Sequence, residues 1–500
     1  MTKVSRRGLL AALGAIGLAG TAGCNAFSNE STTDAPTDTA AGTDRGSTTP
    51  TATLSPGTTD SAASGETSKT VTGSRSTASE GTKTATQTPS PTPAPTETPT
   101  PTPTPTPTGP WRFAADDSDG GDNFGGAVAL SGDTALVGAK LDRDPNGGQA
   151  GSAYVFTRSG GEWTQGAKLV PEDGDAGDRF GASVALAGDT ALVGARSDED
   201  PNGSGAGSAY VFTRSGGEWS QESKLVPEDG DGGDSFGASV ALSGDTAVVG
   251  AWQDEDPNGD GAGSAYVFTR SSGGWTQAAK LVDEGGGSSA GFGRSVAVES
   301  DRVLVGAPTA RGPDRSGGGA VCAFTRSGGE WTQEETFAPD DASFGDRFGV
   351  SVALSGETAF VGAWADADPN GPWAGSAYVF TRSDGAWSQQ TKLVPEDGAA
   401  NDWFGSSVAL AGDTALVGAH GTDHRGTNTG STYAFGRTDD GWTLRTTLDT
   451  DSVNRQDRFG ASVALTGETE TETKTALVGA PQEENAEGRN AGAAHVFSLS

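Results

Sequence analysis

Methionine, cysteine and histidine are nearly missing from this chain. Of 500 residues one is Met, two are Cys and three are His. Two cysteines build neither a disulfide scaffold nor a thiolate metal centre. Three histidines leave little room for imidazole catalysis or a conventional zinc site. Positive charge is short as well, with 33 Lys and Arg against 66 Asp and Glu and a formal charge of −33. A chain this acidic repels phosphates, so no nucleic-acid partner is expected. Aromatic residues make up 7%, and the apolar run over residues 9–22 is too short to span a bilayer as a mature helix. What abounds is glycine, 78 residues, about twice the usual ~7%. That composition suits tight turns between short strands and disfavours helices.

The N-terminal quarter reads as an address and a tether. Residues 1–24 form an export signal, in which Ser5-Arg6-Arg7-Gly8-Leu9-Leu10 carries a twin-arginine pattern. It ends in Thr21-Ala22-Gly23-Cys24, which resembles a lipobox, with Cys24 as the residue to be lipidated. Thr stands where the lipobox usually has Leu, and a plainly cleaved signal with an incidental Cys is the alternative. Residues 25–108 are rich in Thr, Ser, Ala, Gly and Pro and close in a Thr-Pro alternation. Such a stretch buries no apolar surface and is expected to stay disordered, as a semi-rigid stalk at about 3.1 Å per residue where Pro alternates. Its Thr/Ser/Pro content also suits glycosylation.

Residues 109–500 are built on a repeat. Phe-Gly pairs begin at Phe124, Phe180, Phe236, Phe292, Phe348, Phe404 and Phe459, spaced by 56 residues and once by 55. Each is followed by Val-Gly-Ala, then by a Gly-Ser-Ala-Tyr-Val-Phe-like run, and six times by a Trp from Trp163 to Trp442. One unit, 180–235, divides into four short β-prone runs separated by turn signals. Seven such units, each too small to bury its own faces, predict an all-β, seven-bladed β-propeller of four-stranded antiparallel blades. The seventh unit stops after its third strand, while Trp111-Arg112-Phe113-Ala114 aligns with a fourth strand. The N-terminal segment is therefore expected to complete the last blade and close the ring.

Phe-Gly at the start of the first strand and Val-Gly-Ala at the end of the second resemble the FG-GAP repeat of integrin α-chain propellers. The full Gly-Ala-Pro ending occurs at Gly306-Ala307-Pro308 and Gly479-Ala480-Pro481. The resemblance implies a seven-bladed propeller used for recognition. The integrin-type calcium loop between strands one and two is absent, because that connection is a short hairpin such as Ala187-Gly188-Asp189-Thr190.

A different acidic loop lies between strands two and three. Asp142-Arg143-Asp144-Pro145-Asn146-Gly147 recurs as Asp198, Asp200 and Asn202, as Asp254, Asp256 and Asn258, and as Asp366, Asp368 and Asn370. The spacing copies the first half of an EF-hand loop, yet the twelfth position is Ala rather than Glu. A Pro-Asn-Gly turn with Asx hydrogen bonds is the favoured reading, and weak calcium binding is the other. The two-to-three and four-to-one loops share one face of a propeller, so that face is expected to be a ring of carboxylates. A solvated acidic surface of the halophilic, haloarchaeal-like kind is the main explanation of the charge.

Departures from the repeat are the candidates for a partner site. Trp252, Trp364, Trp373 and Trp403 do not recur seven-fold, and His420 and His424 replace the acidic motif of the sixth unit. Clustered Trp favours protein or carbohydrate partners, with packing on adjacent loops as the alternative. A metal on His420, Asp423 and His424 is a weaker possibility. Cys322 replaces the strand-three Tyr of its unit as a small buried hydrophobe. The function expected is a cell-surface, lipid-anchored binding or adhesion module, monomeric and reaching the membrane through its anchor alone. A propeller-based hydrolase or lyase and a purely structural envelope protein are the alternatives. Acidic residues mostly follow the repeat instead of gathering at unique positions, which disfavours an enzyme.

Overall fold

The structure is a computed structural model and describes residues 24–25, 111–199, 201–255, 257–313, 316–367, 369–424, 426–467, 474–484 and 488–499. The twin-arginine residues Arg6 and Arg7, nearly all of the stalk, and the loop residues Asp200, Asp256 and Asp368 lie outside the described residues. Of Cys24 only the backbone is described, in the short strand Cys24–Asn25 paired with Ser462 and Val463.

Seven antiparallel sheets form the blades of the propeller. Blade two is representative, with strands Phe180–Ala187, Thr190–Ala195, Ser208–Ser215 and Glu218–Leu225 ordered from axis to rim. Burial grades along the blade. The first two strands are buried almost throughout, whereas the fourth alternates exposed and part-buried positions. Inner strands are covered on both faces by neighbouring blades, which is why Ala, Ser, Gly and Val replace the usual inward–outward alternation. Hairpins such as that through Gly216 and Gly217, both at positive φ, turn the chain with the twist the strands require.

The hydrophobic core is divided into seven clusters, each lying between successive blades. Between blades one and two, Leu136, Val155 and Leu169 face Phe180, Val184, Val193 and Phe212. Phe180 is fully buried and meets Tyr210 and Phe212 edge-on at 5.6 and 5.9 Å. The glycines of the repeat meet at the same junction. A Cβ on Gly138 would overlap the Gly181 carbonyl oxygen of the next blade, and Gly181 itself has φ +82°. Close backbone contact between blades therefore requires both. Inner-strand serines add a latch, as Ser183 Oγ donates to the Gly237 carbonyl at 2.7 Å and Ser462 Oγ to that of Gly125 at 2.8 Å.

The ring closes as its ends predict. Trp111–Phe113 pairs antiparallel with Ala494, His495 and Val496 and supplies the outer strand of blade seven. The first inner strand, Phe124–Ser131, packs against the last, Ser462–Thr466.

Candidate functional site

The two-to-three and four-to-one loops converge on one face, and a recurring lock joins them. In blade one Tyr154 OH donates to Asp142 Oδ2 at 2.8 Å. Lys168 Nζ, on the outer strand, lies 3.0 Å from the same oxygen and 2.7 Å from Asp117 Oδ2 in the preceding four-to-one loop. Its ammonium also sits 5.3 Å from the centre of the Tyr154 ring. The same Tyr, Lys and two Asp recur as Tyr210, Lys224, Asp173 and Asp198, and as Tyr266, Lys280, Asp229 and Asp254. Blade five repeats them as Tyr378, Lys392, Asp341 and Asp366. Burial pushes the Asp142 carboxyl up, but the Asp144 N–H, Ser152, Lys168 and Tyr154 outweigh it and hold it below its ordinary range. Burial likewise opposes the charge on Lys168, and the two carboxylates overcome it.

This geometry assigns the acidic loops. Asp144 N donates to Asp142 Oδ1 at 2.9 Å, which is an Asx turn. Asn258 and Asn370 spend their side-chain N–H on the carbonyls of Asp283 and Pro395. Asp142, Asp198, Asp254 and Asp366 are buried, and each already holds a cation in the form of a lysine ammonium. Among the described residues no group of three or more His, Cys, Asp or Glu is placed to hold a metal. The expected open ring of carboxylates is also altered. Asp122, Asp178, Asp234, Asp346, Asp402 and Asp457, one before each of six Phe-Gly pairs, are buried and accept backbone N–H groups three residues upstream. Both acids sink because each has a hydrogen-bond task within its own loop.

Blade seven keeps the lock with different residues, and blade six keeps only part of it, with Thr422 in place of the loop Asp. In blade six Thr447 stands at the lysine position, and His424 Nε2 comes to 3.3 Å from Asp397 Oδ2 and 3.4 Å from Tyr433 OH. In blade seven His495 replaces the Tyr and Glu483 the Asp, at 2.7 Å from each other, and Arg112 replaces the Lys. Blade four lacks all of these, with Cys322, Thr336 and Ala310 at the three positions.

The irregular aromatic residues concentrate over blades five and six. Trp364 and Trp403 meet edge-on at 6.2 Å, and Trp403 packs on His420 at 4.9 Å. His420 is buried, its Nδ1 is 2.8 Å from Ser406 Oγ, and burial with the nearby Arg458 lowers its pKa to about 3. It is a neutral packing residue at ordinary pH. His420 and His424 thus have different partners and do not converge, and Asp423 accepts from Asn428 N instead. Trp373 is 53% exposed, and its carbonyl accepts from Trp403 N at 3.1 Å. Trp252 lies apart, under the Arg294 guanidinium at 4.9 Å. Burial lowers Arg294 to about 10, helped by Arg196 and Arg347. Lys140, His420 and Arg458 line a small crevice where blades six, seven and one meet. Lys140 and Arg458 are the cations of that crevice, since His420 is neutral.

Phe344 is a residue that the count of tryptophans misses. It is 90% exposed in the loop after blade four and rests against Gly317. Small residues hold this position elsewhere, as at Ala176, Gly232, Ser288 and Ala400, so the departure is visible in the repeat itself. Two stretches also match the Gly-x-Ser-x-Gly spacing of hydrolase nucleophiles, around Ser235 and Ser289. Both lie in four-to-one loops rather than at a strand-to-helix turn. Ser235 Oγ donates to Gln253 Oε1, and the three histidines are placed in blades six and seven. Neither serine has an imidazole base.

A comparison with protein families matches the FG-GAP repeat at residues 111–156, 163–212, 219–268, 275–324, 331–380, 387–435 and 442–497. Each matched unit begins on an outer strand and ends on the third strand of the next blade, so the first starts on the closing strand. No curated protein matches the chain. With seven matched repeats spanning the whole ring, the chain belongs to the FG-GAP repeat family.

Proposed function

We propose that this chain is a binding module exported by the twin-arginine route, anchored outside the membrane through Cys24, and that it captures a surface protein or carbohydrate. In this reading it is a monomer and not an enzyme, and residues 25–108 hold the propeller away from the lipid. The observation that carries the reading is the break in the repeat over blades four to six. There Trp373 and Phe344 project into solvent beside the packed Trp364–Trp403–His420 group. Large aromatic side chains are costly to leave in water, and amphipathic rings on a rigid loop face are efficient anchors for sugars or protein side chains. Arg and Lys near the same face add donors for carboxylate or sulfate groups.

The test compares wild type with Trp373→Ala/Phe344→Ala on immobilised surface glycans and on cross-linked cell-envelope extracts. Both residues are exposed, so the variant is expected to melt at the wild-type temperature. Loss of capture at unchanged melting temperature supports the reading, and undiminished capture overturns it. Export and anchoring are tested separately. Arg6→Lys/Arg7→Lys is expected to retain the precursor inside the cell, and Cys24→Ser to release mature protein into the medium.

A further inference from the structure

We propose that the cavity on blade four binds an organic ammonium group, with Asp283 as its counter-ion. Six of the seven blades carry a base in the lock on this face: Lys168, Lys224, Lys280 and Lys392, then His424, then Arg112. In blade four the lysine position is Thr336, the Tyr is Cys322, the loop Asp is Ala310, and the Asp of the preceding loop is Gly285. These replacements remove an ammonium, a phenol and two carboxylates from one place. They leave a cavity of about 770 Å³, lined by Asp283, Gly286, Thr309, Arg311, Gln333 and Thr336 among others.

One carboxylate is put back, in a lining that also includes Arg311. Asp283 stands where Pro171, Pro227 and Pro395 stand in other repeats, and it is only 7% exposed. Its Oδ1 accepts from Gln333 Nε2 at 3.1 Å, from Gly285 N at 3.2 Å and from Thr336 Oγ1 at 3.5 Å. All of these donors are neutral, and among the described residues no side chain forms an ion pair with Asp283. Cys322, fully buried with Sγ 3.3 Å from Thr336 Oγ1, is kept in its thiol form by burial and by the carboxylate. A carboxylate desolvated among neutral donors attracts a cation strongly. The sister blades show which cation this architecture holds, an alkylammonium against carboxylate oxygen at 2.6–3.0 Å. The cavity is far larger than a bare ion needs and matches a small organic molecule or a lysine side chain. The cavity shares no lining residue with Phe344, Trp364, Trp373 or Trp403.

The ammonium can come from a free amine or from a lysine of a partner protein. The full-length mature chain is titrated calorimetrically with 1,5-diaminopentane, with Nα-acetyl-lysine amide, and with 1-pentanol as an uncharged control. One or both amines are expected to bind and the alcohol not. Both probes binding assigns any alkylammonium, and the lysine amide alone assigns a lysine side chain. Asp283→Asn is expected to weaken binding at least tenfold while nonspecific attraction to the acidic surface persists unchanged. Thr336→Lys restores the chain's own ammonium, so it is expected to raise the melting temperature and to abolish amine binding. Absence of amine binding to the wild type at millimolar concentration overturns the proposal. So does equal binding by Asp283→Asn or by a folded Thr336→Lys.

Discussion

Arg112 Nε donates to Glu483 Oε1 at 2.7 Å, joining residues 371 positions apart. Glu483 is 1% exposed and also receives His495 at 2.7 Å. Burial works against this carboxylate, and His495 and Arg112 hold it below its ordinary range. The strand that closes the ring is thus fastened by charge as well as by backbone pairing. Arg112→Ala leaves Glu483 with half its compensation and is expected to destabilise the propeller by about 2–3 kcal/mol. Thermal unfolding and the rate of proteolysis at residues 111–113 check this, and an unchanged melting temperature would mean that backbone pairing alone closes the ring.

The lysine locks make a parallel prediction about metal. Lys224→Met leaves Asp198 buried without its cation, an expected loss of about 3 kcal/mol. Because the ammonium fills the cation position in wild type, chelator and added calcium are each expected to leave its melting temperature unchanged. A calcium-dependent rise in wild type would show that the ammonium yields its place.

Much of this architecture was legible because the sequence contains its own alignment. The 56-residue period dictates seven equal blades, and the missing outer strand at one end is matched by the extra strand at the other. Trp364, Trp373 and Trp403 announce themselves as departures from the repeat. The lock was harder to see, because Tyr154, Asp142 and Lys168 belong to two strands and a loop. Only pairing of the third strand with the fourth, Tyr154 opposite Lys168, brings them together. Its signal was nevertheless present as concerted replacement, Tyr/Asp/Lys becoming His/Glu/Arg in blade seven and Cys/Ala/Thr in blade four. The EF-hand-like spacing does not discriminate by itself, because an Asx turn and a calcium loop both want Asp two residues apart.

Glycine at the blade junctions is expected to tolerate nothing larger. Gly138→Ala places a methyl group against the Gly181 carbonyl, which is itself fixed by the packing of Phe180. Relief requires blades one and two to separate, at an expected cost of about 3 kcal/mol or more. Gly216→Ala, in an exposed hairpin with nothing near the added methyl, is strained by its φ alone and is expected to cost about 1 kcal/mol. Comparing the two melting temperatures separates interblade contact from turn geometry.

Acidity is expected to stabilise this protein over a definite range. Asp178, Asp234, Asp346 and Asp457 each have a pKa raised to about 6. Burial is the main cause in all four. It acts against a backbone N–H that favours the charged form, and neighbouring carboxylates such as Asp198 beside Asp178 add to it. In the unfolded chain these groups titrate near 3.9. Between pH 4 and 6 the folded state therefore binds more protons, so stability falls as pH rises through that window. Asp142, Asp173 and Asp229 are shifted the other way, and their contribution is lost only as pH drops below about 4. The melting temperature is thus expected to be higher at pH 5 than at pH 7.5, by about 3–6 °C. Asp178→Asn keeps an acceptor for Asp175 N while removing the buried charge. It is expected to raise the melting temperature at pH 7.5 and to flatten the pH dependence, and a variant with the wild-type pH profile would show that Asp178 is not one of the groups responsible.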